Sequence, residues 1–158
     1  MQIYGYTTDT TTYKSNQVTI QAGVPASTAG SDDASGTLRV HKNDFKMYNV
    51  NVKNTFGVGS QAIAISQYGS RVGLYACGFY GYQDTLYANQ GTQVFLKGYI
   101  EVGAFLWHIC HVFNFQTGRC RLYFRSTRFG IFRWQHNRCK GSRLYHCQRS
   151  TIRRFRKL

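Results

Sequence analysis

No aspartate or glutamate follows Glu101 in this chain of 158 residues, although six acids (Asp9, Asp32, Asp33, Asp44, Asp84 and Glu101) precede that point. Up to Glu101, seven Lys/Arg nearly balance the acids; from Val102 to Leu158 there are thirteen Lys/Arg and no acid, a net charge of +13. That absence divides the chain into two parts of different kind, 1–101 and 102–158. No apolar run approaches the ~18 residues that a membrane-spanning helix needs, which excludes a helical membrane span. The start, Met1-Gln2-Ile3-Tyr4-Gly5-Tyr6, lacks the basic and apolar regions of a signal peptide and reads as the middle of a strand. The polypeptide is therefore either cytosolic or the interior of a longer product. Cysteines are few and odd in number, five, with no Cys-x-x-Cys pair. A disulfide framework is not indicated. A zinc site assembled from His108, Cys110, His111, Cys139, His146 and Cys147 has no standard spacing, so no metal is expected. Cys77, alone on an apolar segment, reads as a small buried hydrophobe.

With 42% hydrophobic and 16% aromatic residues, the chain has enough apolar material for one core. The first 101 residues show period-2 alternation in short segments separated by Gly, Asn, Ser and Thr, with almost no helical pattern. Strands are predicted at Val18–Ile20, Leu38–Val40, Met47–Lys53, Gln61–Ser66, Val72–Phe79 and Gln93–Glu101, with a loop over 26–36. Three segments resemble one another: Leu74–Phe79 overlays Met47–Val52 at an offset of 27, and Phe95–Ile100 follows at an offset of 21. One strand type recurring at this spacing predicts an all-β fold, a solenoid whose rungs bury their inward faces on one another. A β-sandwich would also give short alternating strands. Beyond Glu101, Phe, Trp, Cys, His and Arg follow no period, and no stable element is predicted.

Two segments can carry chemistry. Asp84 is the only carboxylate between Asp44 and Glu101, and it sits in the run Gly81-Tyr82-Gln83-Asp84-Thr85-Leu86-Tyr87. A carboxyl among aromatic and amide groups is partly desolvated, which favours its protonated, proton-donating form. Gln61 opens the apolar stretch Gln61-Ala62-Ile63-Ala64-Ile65. The neutral amides of Gln61 and Gln83 can donate to a developing oxyanion, and with one acid they suggest acyl chemistry. Taken singly, Gln61 capping a strand and Asp84 bonding a turn backbone account for the same residues.

Gln61-Ala62-Ile63-Ala64, Cys77-Gly78-Phe79-Tyr80-Gly81-Tyr82-Gln83-Asp84-Thr85-Leu86-Tyr87 and Gly98-Tyr99-Ile100-Glu101 together resemble three successive signature blocks of the pectin methylesterase (pectinesterase) family. Ile3-Tyr4-Gly5-Tyr6-Thr7 and Phe45-Lys46-Met47-Tyr48-Asn49-Val50 are similar to its fungal and microbial members. The resemblance covers about residues 2–101. It implies a right-handed parallel β-helix, hydrolysis of methyl esters in pectin, no cofactor, a monomer and an extracellular setting. By family position Asp84 is the general acid and later the base, Gln83 part of the oxyanion hole, and Gln61 part of that hole or of substrate placement. Tyr82 and Phe79 fall beside the sugar-binding groove.

The family follows its Tyr-Ile-Glu block with an Asp-Phe block whose aspartate is the nucleophile, then with an arginine that orients it. Here Glu101 leads into Val102-Gly103-Ala104-Phe105-Leu106-Trp107-His108, and no aspartate follows Asp84. Neither nucleophile nor arginine is found, so a catalytically incomplete, truncated β-helix is expected. Its cut edge would invite aggregation. The abrupt change in composition reads as an out-of-frame segment. Taken at face value, thirteen cations interleaved with aromatics give the alternative, a nucleic-acid or polyanion binder.

Overall fold

The computed structural model describes residues 1–103, 105–108 and 112–115. Three strands make each turn of the chain. The first rung is β1 (Gln2–Tyr4), β2 (Val18–Ala22) and β3 (Leu38–Val40); the second is β4 (Lys46–Tyr48), β5 (Val50–Asn54) and β6 (Ile65–Gln67). The third is β7 (Val72–Tyr75), β8 (Gly78–Tyr80) and β9 (Leu86–Ala88), and β10 (Gln93–Leu96) with β11 (Tyr99–Val102) opens a fourth. Equivalent strands stack in parallel, giving a first sheet β1-β4-β7-β10, a second β2-β5-β8-β11 and a third β3-β6-β9. The registers carry the offsets read from sequence: Met47 lies on Leu74 and Asn51 on Gly78, 27 apart, while Phe95 lies on Leu74 and Tyr99 on Gly78, 21 apart. The architecture is a parallel β-helix, not a sandwich.

The inward residues form one column of core: Met47, Val50, Val52, Ile65, Val72, Leu74, Phe79, Leu86, Phe95 and Ile100 are all buried. Each such side chain contributes about 1.5–3 kcal/mol by leaving water. Four segments predicted as continuous strands are broken or shortened. Asn49 (φ 54), Ala76 (φ 51) and Lys97 (φ 50) adopt the left-handed conformation between the first and second sheets. The Asn49 and Ala76 amides donate to Tyr75 O (3.0 Å) and Leu96 O (2.8 Å) one rung on. This conformation costs a non-glycine residue about 1–2 kcal/mol, which the repeated rung-to-rung bonding and core burial offset. Gln61–Ala64 precedes β6 rather than forming it, and the 26–36 loop includes one helical turn, α1 (Ala26–Ala29).

The chain beyond Glu101 differs from expectation. β11 runs on to Val102, and Gly103 (φ 58) then reverses the chain. β12 (Phe105–His108) returns antiparallel along β11, pairing Val102 with Phe105, and β13 (Val112–Phe115) lies antiparallel on β10. A two-residue hairpin loop needs positive φ, and glycine supplies it without strain. The edges expected to lie open on the first two sheets thus carry reversed strands. In the third sheet, β9 is the last strand among the described residues.

Candidate active site

The candidate groups stand where the second and third rungs lead into their third-sheet strands. On the second rung the segment is Gln61–Ala64, before β6; on the third it is Gly81–Thr85, before β9. They stack directly. Ala62 N donates to Gln83 O (3.1 Å), and both Ala64 N and Ile65 N donate to Thr85 O (2.9 and 3.1 Å). Gln61, Gln83 and Asp84 are half-buried, and Asp84 has φ 57. The backbone therefore turns sharply at the acid itself, an uncommon conformation that aspartate tolerates better than most residues.

The third-rung segment is also held from the other side. Gly103 N donates to Gly81 O (3.1 Å), and the buried Thr85 hydroxyl donates to Glu101 O (2.6 Å). A Cβ on Gly81 would lie 2.7 Å from Thr85 Oγ1, so this loop closes only with glycine there. Gln61 is fixed from the first rung: its carbonyl accepts from Ala26 N (2.7 Å), and Ser60 Oγ accepts from Ser27 N (3.1 Å). The segments that carry the two amides and the acid thus stack on successive rungs, tied by backbone bonds above and below.

Tyr82 is exposed at the lip of the segment (47% accessible), with its carbonyl 3.3 Å from the Cβ position of Gly103. Phe79, expected beside the groove, is instead a core residue: it is 1% exposed and packs edge-on against Phe95 at 5.8 Å. The zinc candidates His108, Cys110, His111, Cys139, His146 and Cys147 have side chains outside the described residues. Among the described residues, no group of three His, Cys, Asp or Glu could hold a metal.

Continuous with these turns, the outer side of the third sheet carries groups that the sequence reading passed over. Arg39, Ser66 and Tyr87 lie in one register row. Asp33, from the preceding loop, binds several groups here. Its Oδ2 accepts from Arg39 Nη2 (2.7 Å) and Nε (3.2 Å), and its Oδ1 accepts from the Ser66 hydroxyl (2.6 Å) and stands 3.0 Å from His41 Nε2. Burial pushes the Asp33 pKa up, but the bonds from Ser66, His41 and Arg39 together outweigh it and hold the carboxyl below its ordinary value. Beside it, the Tyr68 ring lies 4.7 Å from His41 and 6.1 Å from Tyr87. Burial first, and Tyr87 next, push the Tyr68 phenol up to about 12. Offsets of 27 and 21, applied to Arg39, would have found the row.

Glu101 lies on the second sheet. Its pKa is raised by burial, against the opposing effects of Lys53 and Tyr99. Nearby, Tyr99 stacks on Tyr13 at 4.9 Å and meets Tyr80 at 5.4 Å. Burial, reinforced by neighbours including Glu101, pushes both Tyr80 and Tyr99 up to about 12.

A family model described as Pectinesterase matches residues 7–117. This chain belongs to the pectinesterase family. The match reaches past Glu101, where the resemblance read from sequence ends. Probable pectinesterase A of Neosartorya fischeri is 50% identical over 101 residues, 64% of this chain and 31% of that protein. Pectinesterase A of Emericella nidulans is 48% identical over the same length. The chain thus spans about a third of the length of these curated relatives. The crystal structure of the deglycosylated pectin methylesterase from Aspergillus niger superposes with a TM-score of 0.63 at 48% identity, over 64% of this chain and 34% of that one. The pectin methylesterase of Erwinia chrysanthemi, 21% identical with a TM-score of 0.55 over 63% of this chain and 34% of that one, shares the fold. Within the family, the reversal after Gly103 bears directly on the site. Among the described residues, the segments before the third sheet carry Gln61 on the second rung and Gln83–Asp84 on the third; after β11 of the fourth, β12 turns back along β11.

Proposed function

We propose that this chain carries the acid and oxyanion half of a pectin methyl ester hydrolase site and does not itself turn over pectin. The observation behind this reading is the stacking of the Gln61–Ala64 segment beneath the segment that holds Gln83 and Asp84, joined by the Ala62–Gln83 backbone bond. In the complete reaction a carboxylate attacks the ester carbonyl. The amides of Gln83 and Gln61 donate to the resulting oxyanion, and protonated Asp84 transfers its proton to the departing methoxide, releasing methanol. Asp84, now ionised, takes a proton from the water that cleaves the acyl intermediate, and the carboxylate is regenerated. Tyr82, exposed beside the acid, contacts the sugar.

The attacking carboxylate is what this chain lacks, since no aspartate follows Asp84 and β12 departs from the place where a fourth-rung segment would present one. Acid and nucleophile must be fixed within about an ångström for such catalysis, so a stray Glu, Cys or His is no substitute. The chain divides into a family-like solenoid, 1–101, and a basic remainder, 102–158, whose first strands pair with the last strands of the solenoid. Pectin is the ligand class, the setting extracellular and the folded unit monomeric, all by kinship with fungal pectinesterases. The second reading, polyanion binding, rests on the net charge of +13 in 102–158. Methanol release from methyl-esterified pectin by the purified chain tests the first: none above the blank is expected. Turnover that disappears in Asp84→Ala would overturn it.

A further inference from the structure

Two glutamines lie inside the solenoid, away from the candidate site. Gln67 ends β6 and is 0% exposed; Gln93 begins β10 and is 1% exposed. Both belong to the corner where the third sheet hands the chain back to the first. There Asn89 N and Gln90 N donate to Gln67 O (2.9 and 3.3 Å), and Gln93 Nε2 donates to Gln90 O. Three buried polar atoms remain: Gln67 Nε2, Gln67 Oε1 and Gln93 Oε1, none with a hydrogen-bond partner.

Exchanging amide nitrogen and oxygen does not remove the problem. A flipped Gln67 still leaves both atoms alone, and a flipped Gln93 would set its oxygen against the Gln90 carbonyl. Each buried group without a partner costs about 1–3 kcal/mol. The residue stacked on Gln67 in the ladder is Ala88, which presents only a methyl group beside the amide.

We propose that this corner holds a buried, ordered water. One molecule suffices: it accepts from Gln67 Nε2, donates one hydrogen to Gln67 Oε1 in the cyclic arrangement open to a primary amide, and donates the other to Gln93 Oε1. Three hydrogen bonds are the usual complement of a buried water, and the lining is polar, as retention of water requires. The water joins the end of the second rung to the start of the fourth.

A high-resolution crystal structure of the full chain decides the question. The expected result is one solvent peak about 2.7–3.2 Å from all three atoms. Absence of that peak, or amides turned to bond each other directly, overturns the proposal. An independent reading comes from water-¹⁷O magnetic relaxation dispersion on the wild type and Gln67→Met, which is close in volume and removes two of the three bonds. Loss of one long-lived water is expected in the variant; an unchanged count would also overturn the proposal.

Discussion

Replacing Gly91 with alanine should destabilise the protein far more than the same change at Gly57, although both glycines have positive φ (78 and 88). The left-handed conformation costs an alanine about 1–2 kcal/mol at either site. The surroundings differ. A Cβ at Gly57 meets nothing within 4 Å, whereas at Gly91 it would lie 2.3 Å from Gly69 O, 2.6 Å from Gly69 C and 2.9 Å from Ser70 N. All three contacts are backbone of the preceding turn, so no side-chain rotation can relieve them. Gly69 cannot retreat easily either, because its own Cβ position lies 2.2 Å from Lys42 O. Forced overpacking of this kind adds about 1–3 kcal/mol. With a urea m-value of about 1–3 kcal/mol/M, the unfolding midpoint of Gly91→Ala should fall roughly 1 M below that of Gly57→Ala. Far-UV circular dichroism in urea measures it. Equal midpoints would refute the idea that successive rungs touch backbone to backbone at this corner.

Asp33 has a lowered folded pKa, so the stability it contributes is present above its unfolded value near 3.8 and is lost as pH falls through the folded one. Asp33→Asn should lower the unfolding temperature at neutral pH and have little effect in strong acid, as thermal melts across pH would record. Glu101 runs the other way: its folded pKa is raised, so its contribution is full below the unfolded value and is lost as pH rises. Glu101→Gln should therefore stabilise the protein at neutral pH and not in acid, and a uniform destabilisation would contradict this sign. The Cys77 thiol is buried and pushed up to about 11, chiefly by burial, so it should resist a thiol reagent until the protein unfolds; peptide mapping after labelling separates it from the other cysteines. Hydrogen exchange tests the reversed strands. Tyr99 N and Gly103 N bond back to Cys77 O and Gly81 O, so Ile100 and Val102 between them face β12; likewise Gln93 and Phe95 face β13. Protection of these four amides comparable to that of Tyr99 is expected, and fast exchange would show the edges bare.

The rung offsets were legible because stacked rungs repeat their hydrophobic demand, and 27 and 21 recur as registers in both the first and second sheets. The burial of Phe79, expected beside the groove from family position, is also hidden from a strand pattern. Read as one strand from Val72, alternation puts Val72 and Leu74 inside and Phe79 outside. The left-handed Ala76 inserts a corner, resets the phase and turns Phe79 inward; Asn49 does the same between Met47 and Val50. A period-2 reading carries no signal for such a corner when the residue making it is not glycine. Gln61, Gln83 and Asp84 could be singled out because amides and an acid amid apolar neighbours are conspicuous. The Asp33 cluster could not, because a loop residue, two strand residues and the residue after β3 meet only once the rungs stack.

The reversal at Gly103 acts on this molecule as punctuation. A solenoid deals out its side chains a turn at a time, so a column of groups on its surface is a list written in order along the axis: Gln61, then Gln83 with Asp84. Where the chain doubles back, the list stops between two words rather than within one. Every strand pairing already made is left intact.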